Sequence, residues 1–255
     1  MDSLSLITII FSIFLLILII VPTISLFTYG IPVIRLGMTL DVMNALVITF
    51  TTACIATFLV VLFATPLAYM LARRDFRLKS LLESLLELPM VIPHTVAGIA
   101  ILLAFSISPL SQLFSLFGIE IIDSFWGIIT AMAYVSSPIY VGIVRSGFES
   151  IDRNVEHIAM TLGASPLKTF LTISIPLALK HIVTGALLTW ARAVSEIGAI
   201  LIVAYFPKTI QVLILEKFLT EGLWSALAPS TLLLITTLLV FTLCKLLARW
   251  IECHL

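Results

Sequence analysis

Charge is what this sequence is short of. Asp, Glu, Lys and Arg make up 11% of its 255 residues, against 61% hydrophobic ones, whereas a soluble domain runs near about 25% charged. The mean hydropathy of +1.22 excludes an ordinary soluble core. The formal net charge is zero, so the basic footprint of a nucleic-acid binder is missing. Cysteine is scarce as well: Cys54 and Cys244 fall in apolar runs and Cys253 in the tail. Their spacing fits neither a metal site nor a disulfide framework, and they read as small apolar fillers. The four histidines, His94, His157, His181 and His254, are scattered and form no H-E-x-x-H pair. No G-x-x-x-x-G-K-[ST] loop occurs, so the chain carries no P-loop for ATP, and no G-x-S-x-G elbow supports an intramembrane protease. The apolar runs do not alternate with polar residues, which argues against a β-barrel. No Lys or Arg precedes the run Leu6–Ile20 and no small-x-small site follows it, so it reads as a retained membrane helix rather than a signal peptide. No internal repeat offers the usual pointer to an inverted-repeat carrier.

What is present is a set of long apolar runs. A bilayer core needs about 20 apolar residues per helix, and six segments supply them: Leu4–Leu26, Val42–Leu71, Leu85–Ile107, Phe125–Gly147, Leu177–Tyr205 and Leu223–Ala248. The expected class is all-α, a polytopic membrane protein of six transmembrane helices forming one transmembrane domain over 1–255. Residues 1–41 supply the first helix and an outer loop, 42–248 a five-helix core, and 249–255 a tail. Gly30, Pro32 and Gly37 break the first run, Ala72–Ser80 the second and Ser108–Gly118 the third. With the N-terminus inside, ten basic residues face the cytoplasm (Arg73, Arg74, Arg77, Lys79, Arg145, Arg153, Lys168, Lys180, Lys245 and Arg249) against three outside (Arg35, Lys208 and Lys217). This bias predicts both termini in the cytoplasm. Of the outer loops, Phe206–Gly222 carries Ile210, Leu213, Ile214 and Phe218 at helical spacing, which fits an interfacial or re-entrant helix. Ser111–Asp123 is a weaker case.

Few polar groups lie within spans. Pro89 and Pro93 each remove a backbone donor from the third span and are expected to kink it, with Gly98 following; such broken helices line paths or gates. In the fifth span Arg192 and Glu196 are four apart and share a helix face. Each costs about 2.5–3.5 kcal/mol at the bilayer centre, so they face the bundle or a water-filled cavity, as a gate or as a structural ion pair. Ser136, Ser137, Thr184, Thr189, Ser195 and Gly198 complete the candidate path, each hydroxyl also being able to bond back to its own helix.

Between the fourth and fifth spans lies "VEHIAMTLGASPLKTF", Val155 to Phe170. Asn154 can cap a short helix from Val155. Val155, Ile158, Ala159 and Leu162 form one apolar face. Gly163 can take the left-handed conformation that ends a helix, while Ser165 and Pro166 suit the cap and first turn of the next. That second helix is expected to run to about Pro176, where the fifth span begins. A helix this short is marginal alone, so its apolar face needs a partner, either the rest of this chain or a groove on another protein.

This elbow resembles the EAA loop of ABC importer permeases, E-A-A-x-x-x-G followed some nine residues on by I-x-L-P. The glycine corresponds to Gly163, and Ile173-Ser174-Ile175-Pro176 to the ending. The two alanine positions fall at Ile158 and Ala159. The acidic position falls at His157, with Glu156 just before it, so some other group, Glu156 first, must hold the elbow in register. "ELPMVIPHTVAGIAIL" and "WARAVSEIGAILIVAYFPKTIQVLI" are similar to molybdate/tungstate permeases, relatives of sulfate permeases. The resemblance implies a type I ABC importer permease in the plasma or inner membrane, with the coupling loop at about 148–176. Two copies form the path, and two cytoplasmic P-loop ATPase subunits bind the ATP and Mg, for which this chain has no site of its own. Each ATPase receives one elbow: Asn154, Glu156, His157, Ile158, Ala159, Leu162, Gly163, Ala164 and Ser165. An external binding protein delivers the oxyanion. A sulfate or thiosulfate permease, or an ATP-independent channel or ion-coupled carrier, are the alternatives.

Overall fold

The computed structural model describes residues 3–107 and 109–254; Ser108, and the side chains of Arg249, Cys253 and His254, lie outside the described residues. Every regular element described is helical: α1 (Ser3–Gly30) running into a 3-10 turn (Ile31–Gly37), α2 (Leu40–Arg73), α3 (Lys79–Val91), α4 (His94–Ser106), α5 (Pro109–Leu116), α6 (Phe125–Glu149), α7 (Arg153–Thr161), α8 (Pro166–Thr169), a π-helical turn (Phe170–Ser174), α9 (Ile175–Val194), α10 (Gly198–Val203), α11 (Ile210–Glu221) and α12 (Leu223–His254).

The core is α2, α6 and α9. On α2, Ala45, Thr49, Ala53, Ala56, Val60, Ala64, Ala68 and Leu71 recur every three or four residues and are buried. In lipid there is no hydrophobic drive between apolar helices, so association rests on close backbone approach, which small residues permit. Glycine does the same between α6 and α9: a Cβ on Gly147 would come within 2.5 Å of the His181 Cβ. Tyr140 and Thr65 join α6 to α2 with a 2.7 Å hydroxyl pair. By contrast α1, which packs on α12, is exposed over residues 8–24 and seated only near its C-terminal end, at residues 25–27 and Gly30.

Among the described residues five helices are long and apolar enough to cross a membrane, and the α3–α4 pair, bent by 117°, makes a sixth only as one broken span. The third run is therefore the broken helix its prolines suggest, starting at Lys79 rather than Leu85 and bent by far more than a kink. Its two prolines also act differently. Pro89 sits inside α3, whereas Ile92, the residue before Pro93, is extended at φ −77° and ψ 147°, because the proline ring disfavours a helical residue ahead of it. The fifth run departs from expectation at both ends. Pro176 does not start a new helix, since a π turn carries the chain from α8 straight into α9 and absorbs the lost proline donor. At the far end the run breaks at Ser195–Ile197 before α10. The outer helix α11 exists, with Ile210, Gln211, Val212 and Leu213 buried, so its first turn is seated in the protein rather than on the membrane surface. Lys208 before it bonds Glu216 at 2.6 Å, and that carboxylate holds the ammonium above the ordinary lysine range.

Candidate functional site

The elbow forms, with one shift. Asp152, not Asn154, is the cap: its carboxylate accepts the Asn154 N–H at 2.9 Å, and α7 starts at Arg153. Asn154 is accordingly the second residue of the helix, and the neighbouring Arg153 guanidinium donates to the Ala72 carbonyl at 3.2 Å. At the C-terminus the Ala164 N–H donates to the Ala159 carbonyl and the Gly163 N–H to that of Met160, both at 3.0 Å. This double closure requires a left-handed residue, and Gly163 has φ +92°. The Ser165 hydroxyl then accepts the Lys168 N–H at 3.3 Å, with Pro166 in the first turn of α8.

The faces of α7 divide sharply. Val155, Ile158 and Leu162, 40%, 60% and 83% exposed, turn outward with Leu167 of α8; His157 is exposed as well, and Ala159 half-buried. Glu156 alone of α7 is buried. Its carboxylate meets Arg73 through Nε (3.0 and 3.1 Å) and Nη2 (3.0 Å), and accepts the Ser174 hydroxyl at 2.8 Å and the Tyr69 hydroxyl at 3.3 Å. Arg73 also donates to the Ile151 carbonyl at 3.2 Å. The sequence places Glu156 among the coupling residues and offers it as the group that holds the elbow in register; the fold turns it inward, away from the exposed face of α7. Arg73, counted in the sequence only as a positive charge, and Ser174 and Tyr69, which carry no sequence signal, could be found only from the structure.

The second polar cluster sits where two broken helices meet. Arg192 Nη2 bonds the Glu196 Oε2 at 2.9 Å and lies 2.9 Å from His94 Nε2. Glu196, 1% exposed, spends its other oxygen on the Ala199 N–H at 2.8 Å, closing the first turn of α10. Ser195 returns its hydroxyl to the Arg192 carbonyl at 2.9 Å. The expected ion pair forms, but Glu196 lies in the break after α9 rather than on one helix face with Arg192, and the pair recruits His94, which the sequence marks only by its place after Pro93. Two glycines set the approach. A Cβ on Gly198 would lie 2.7 Å from the His94 Cβ, and one on Gly98 2.8 Å from the Ile202 Cβ, so α4 and α10 touch along their backbones. Gln211 of α11 donates to the Val194 carbonyl and tightens the same break.

The remaining hydroxyls do not join this cluster. Ser136 and Ser137 bond back to the Met132 and Tyr134 carbonyls of their own helix, and Thr189 is wholly buried. Ser137 borders a cavity of about 420 Å³ between α2 and α6, lined by Phe63, Leu86, Phe105, Phe114 and Tyr134 with no charged side chain. The His94 and Ser195 side of the polar cluster lies open on the surface of the single chain.

Residues 64–252 match the family described as binding-protein-dependent transport system inner membrane component. The molybdate/tungstate transport system permease protein WtpB of Pyrococcus abyssi is 44% identical over 210 residues, covering 82% of this chain and 78% of that one. That of Methanocaldococcus jannaschii is 38% identical over 209 residues, covering 82% and 83%. Among solved structures, a bacterial ABC transporter that imports the polysaccharide alginate superposes with a TM-score of 0.74 over 98% of this chain and 96% of that one, at 14% identity. The fold is that of ABC importer permeases, and the chain is a multi-pass membrane protein that belongs to the family of binding-protein-dependent transport system inner membrane components.

Proposed function

We propose that two copies of this chain form the transmembrane path of an ATP-driven importer for molybdate or tungstate, working by alternating access. The observation that carries this reading is the elbow: a nine-residue helix whose apolar face is open to solvent while its single acidic anchor is buried. An exposed apolar face on a tethered helix marks an interaction site. A P-loop ATPase subunit is the partner that supplies the ATP and Mg chemistry for which the sequence has no loop. Ile158, Leu162 and the half-buried Ala159 are the contact face, while Asp152, Gly163, Ala164 and Ser165 set its angle. The open side of the His94–Arg192–Ser195 cluster supports a second copy closing the path there, with Pro93, Gly98 and Gly198 shaping the gate. The names of the relatives support the oxyanion, an external binding protein supplies it, and the gathering of Arg73, Arg145 and Arg153 at the elbow end supports cytoplasmic termini. Oxyanion choice belongs to the binding protein, since Arg192 is largely neutralised by Glu196 and leaves little net charge to hold a dianion tightly. The test is reconstitution of the chain with its ATPase and binding protein in proteoliposomes, with molybdate, tungstate and sulfate in competition. Uptake that needs ATP and is blocked by tungstate but not by sulfate supports the reading, and uptake without the ATPase would refute it.

A further inference from the structure

Glu156 is a poor candidate for a docking group and a good one for a mechanical joint. It is the one buried residue of α7, and four donors from two other parts of the chain converge on it: Arg73 Nε and Nη2 and the Tyr69 hydroxyl from the last turns of α2, and the Ser174 hydroxyl from the π turn ahead of α9. Arg73 extends the group to the loop after α6 through the Ile151 carbonyl. Side-chain exposures of 8% for Arg73 and 6% for Glu156 remove most of the solvent screening. Tyr69, Phe148 and Phe170 close over it as a ring cluster, with centroids 4.7 to 6.3 Å apart. A forked guanidinium–carboxylate pair fixes angle as well as distance. The π turn is what brings the Ser174 hydroxyl onto Glu156, and π turns recur at functional positions. Among the described hydrogen bonds, the other side-chain tie from α7 to a distant part of the chain is the Arg153 bond to Ala72.

We propose that Arg73, Glu156, Tyr69 and Ser174 form the joint that transmits motion of the coupling elbow to the ends of α2 and α9, so that they are positioning residues for energy coupling rather than contacts to the ATPase. This rests on the importer reading above. A push delivered to the exposed face of α7 reaches the membrane helices only if α7 cannot pivot on its tethers, and the joint removes that freedom. Buried ion pairs are weak evidence for stability, because apolar residues of similar volume often replace them without loss. The joint and a merely stabilising pair therefore predict different outcomes when both charges go together.

The experiment uses the full complex of permease, ATPase and binding protein in proteoliposomes, measuring oxyanion taken up per ATP hydrolysed, with ATPase co-purification as the assembly check. Glu156→Gln is expected to keep the ATPase bound and lower the coupling ratio about tenfold, within the span typical of allosteric coupling. The double replacement Arg73→Met with Glu156→Leu is expected to assemble and to stay equally uncoupled. Ser174→Ala and Tyr69→Phe, each removing one donor, are expected to lower the ratio about two- to fivefold. A wild-type ratio in the double variant overturns the joint. If Glu156→Gln and the double variant do not insert, wild-type ratios in both Ser174→Ala and Tyr69→Phe overturn it. Failure of the unmodified complex to couple uptake to ATP would instead sink the importer reading, and the joint with it.

Discussion

Replacing Gly163 by valine separates a backbone cost from a packing cost. Gly163 has φ +92°, and a Cβ built on it meets no heavy atom within 4 Å. The substitution therefore creates no clash inside the chain; its whole penalty is the left-handed conformation. For an L-residue that is about 1–2 kcal/mol, and more for a β-branched one. The alternative is to give up the paired bonds from Gly163 to Met160 and from Ala164 to Ala159, which swings α8 away from its present angle to α7. Since 1.4 kcal/mol is tenfold in an equilibrium constant, the elbow would hold its working geometry about five- to thirtyfold less often. Nine residues of α7 are too few to restore it. Gly163→Asn is the matched control, because asparagine tolerates this conformation. ATP-driven uptake in proteoliposomes, compared at equal inserted protein, should fall roughly tenfold for valine and no more than about threefold for asparagine. Wild-type uptake in Gly163→Val would refute the conformational argument. Equal losses in both variants would place the cost in side-chain contact with the partner instead.

Ala159→Glu puts a carboxylate at the half-buried edge of the docking face, where desolvating it without a partner costs well over 1 kcal/mol. Co-purification of the ATPase subunit should drop about tenfold or more, and unchanged co-purification would remove Ala159 from the interface. Arg192→Leu leaves Glu196, 1% exposed, without its cation, a loss of about 3–5 kcal/mol visible as a lower melting temperature in detergent; Arg192→Leu with Glu196→Gln should recover most of it. Gly98→Leu forces a side chain where a Cβ already lies 2.8 Å from Ile202 and 2.9 Å from the Ala199 carbonyl. Overpacking of this kind costs about 1–3 kcal/mol, so the α4–α10 contact should loosen and the melting temperature fall, while Gly142→Ala, where a Cβ meets nothing within 4 Å, should be neutral.

Much of this protein is legible one turn at a time. Apolar run length alone marks α1, α2, α6 and α12, because the bilayer makes every backbone group bond within its own segment. Gly163, Ser165 and Pro166 mark the elbow because their constraints act on neighbouring residues only. The errors also have local causes. Asp152 and Asn154 are equally good caps by type, and the helix that Asp152 starts is tied down by Arg153, whose reach to Ala72 spans 81 positions. Pro89 and Pro93 look alike in sequence, yet only one sits at the bend.

By itself, then, the sequence determined an all-helical membrane chain with a charged elbow between its fourth and fifth spans, since hydropathy, caps and left-handed glycines are properties of short windows. Only the tertiary structure decided that Glu156 faces inward to Arg73 across 83 positions and that His94 meets Arg192 across 98. A buried charge takes whichever partner the packing brings within about 3 Å, and that distance is fixed by how α2, α4 and α9 cross, which no local window contains.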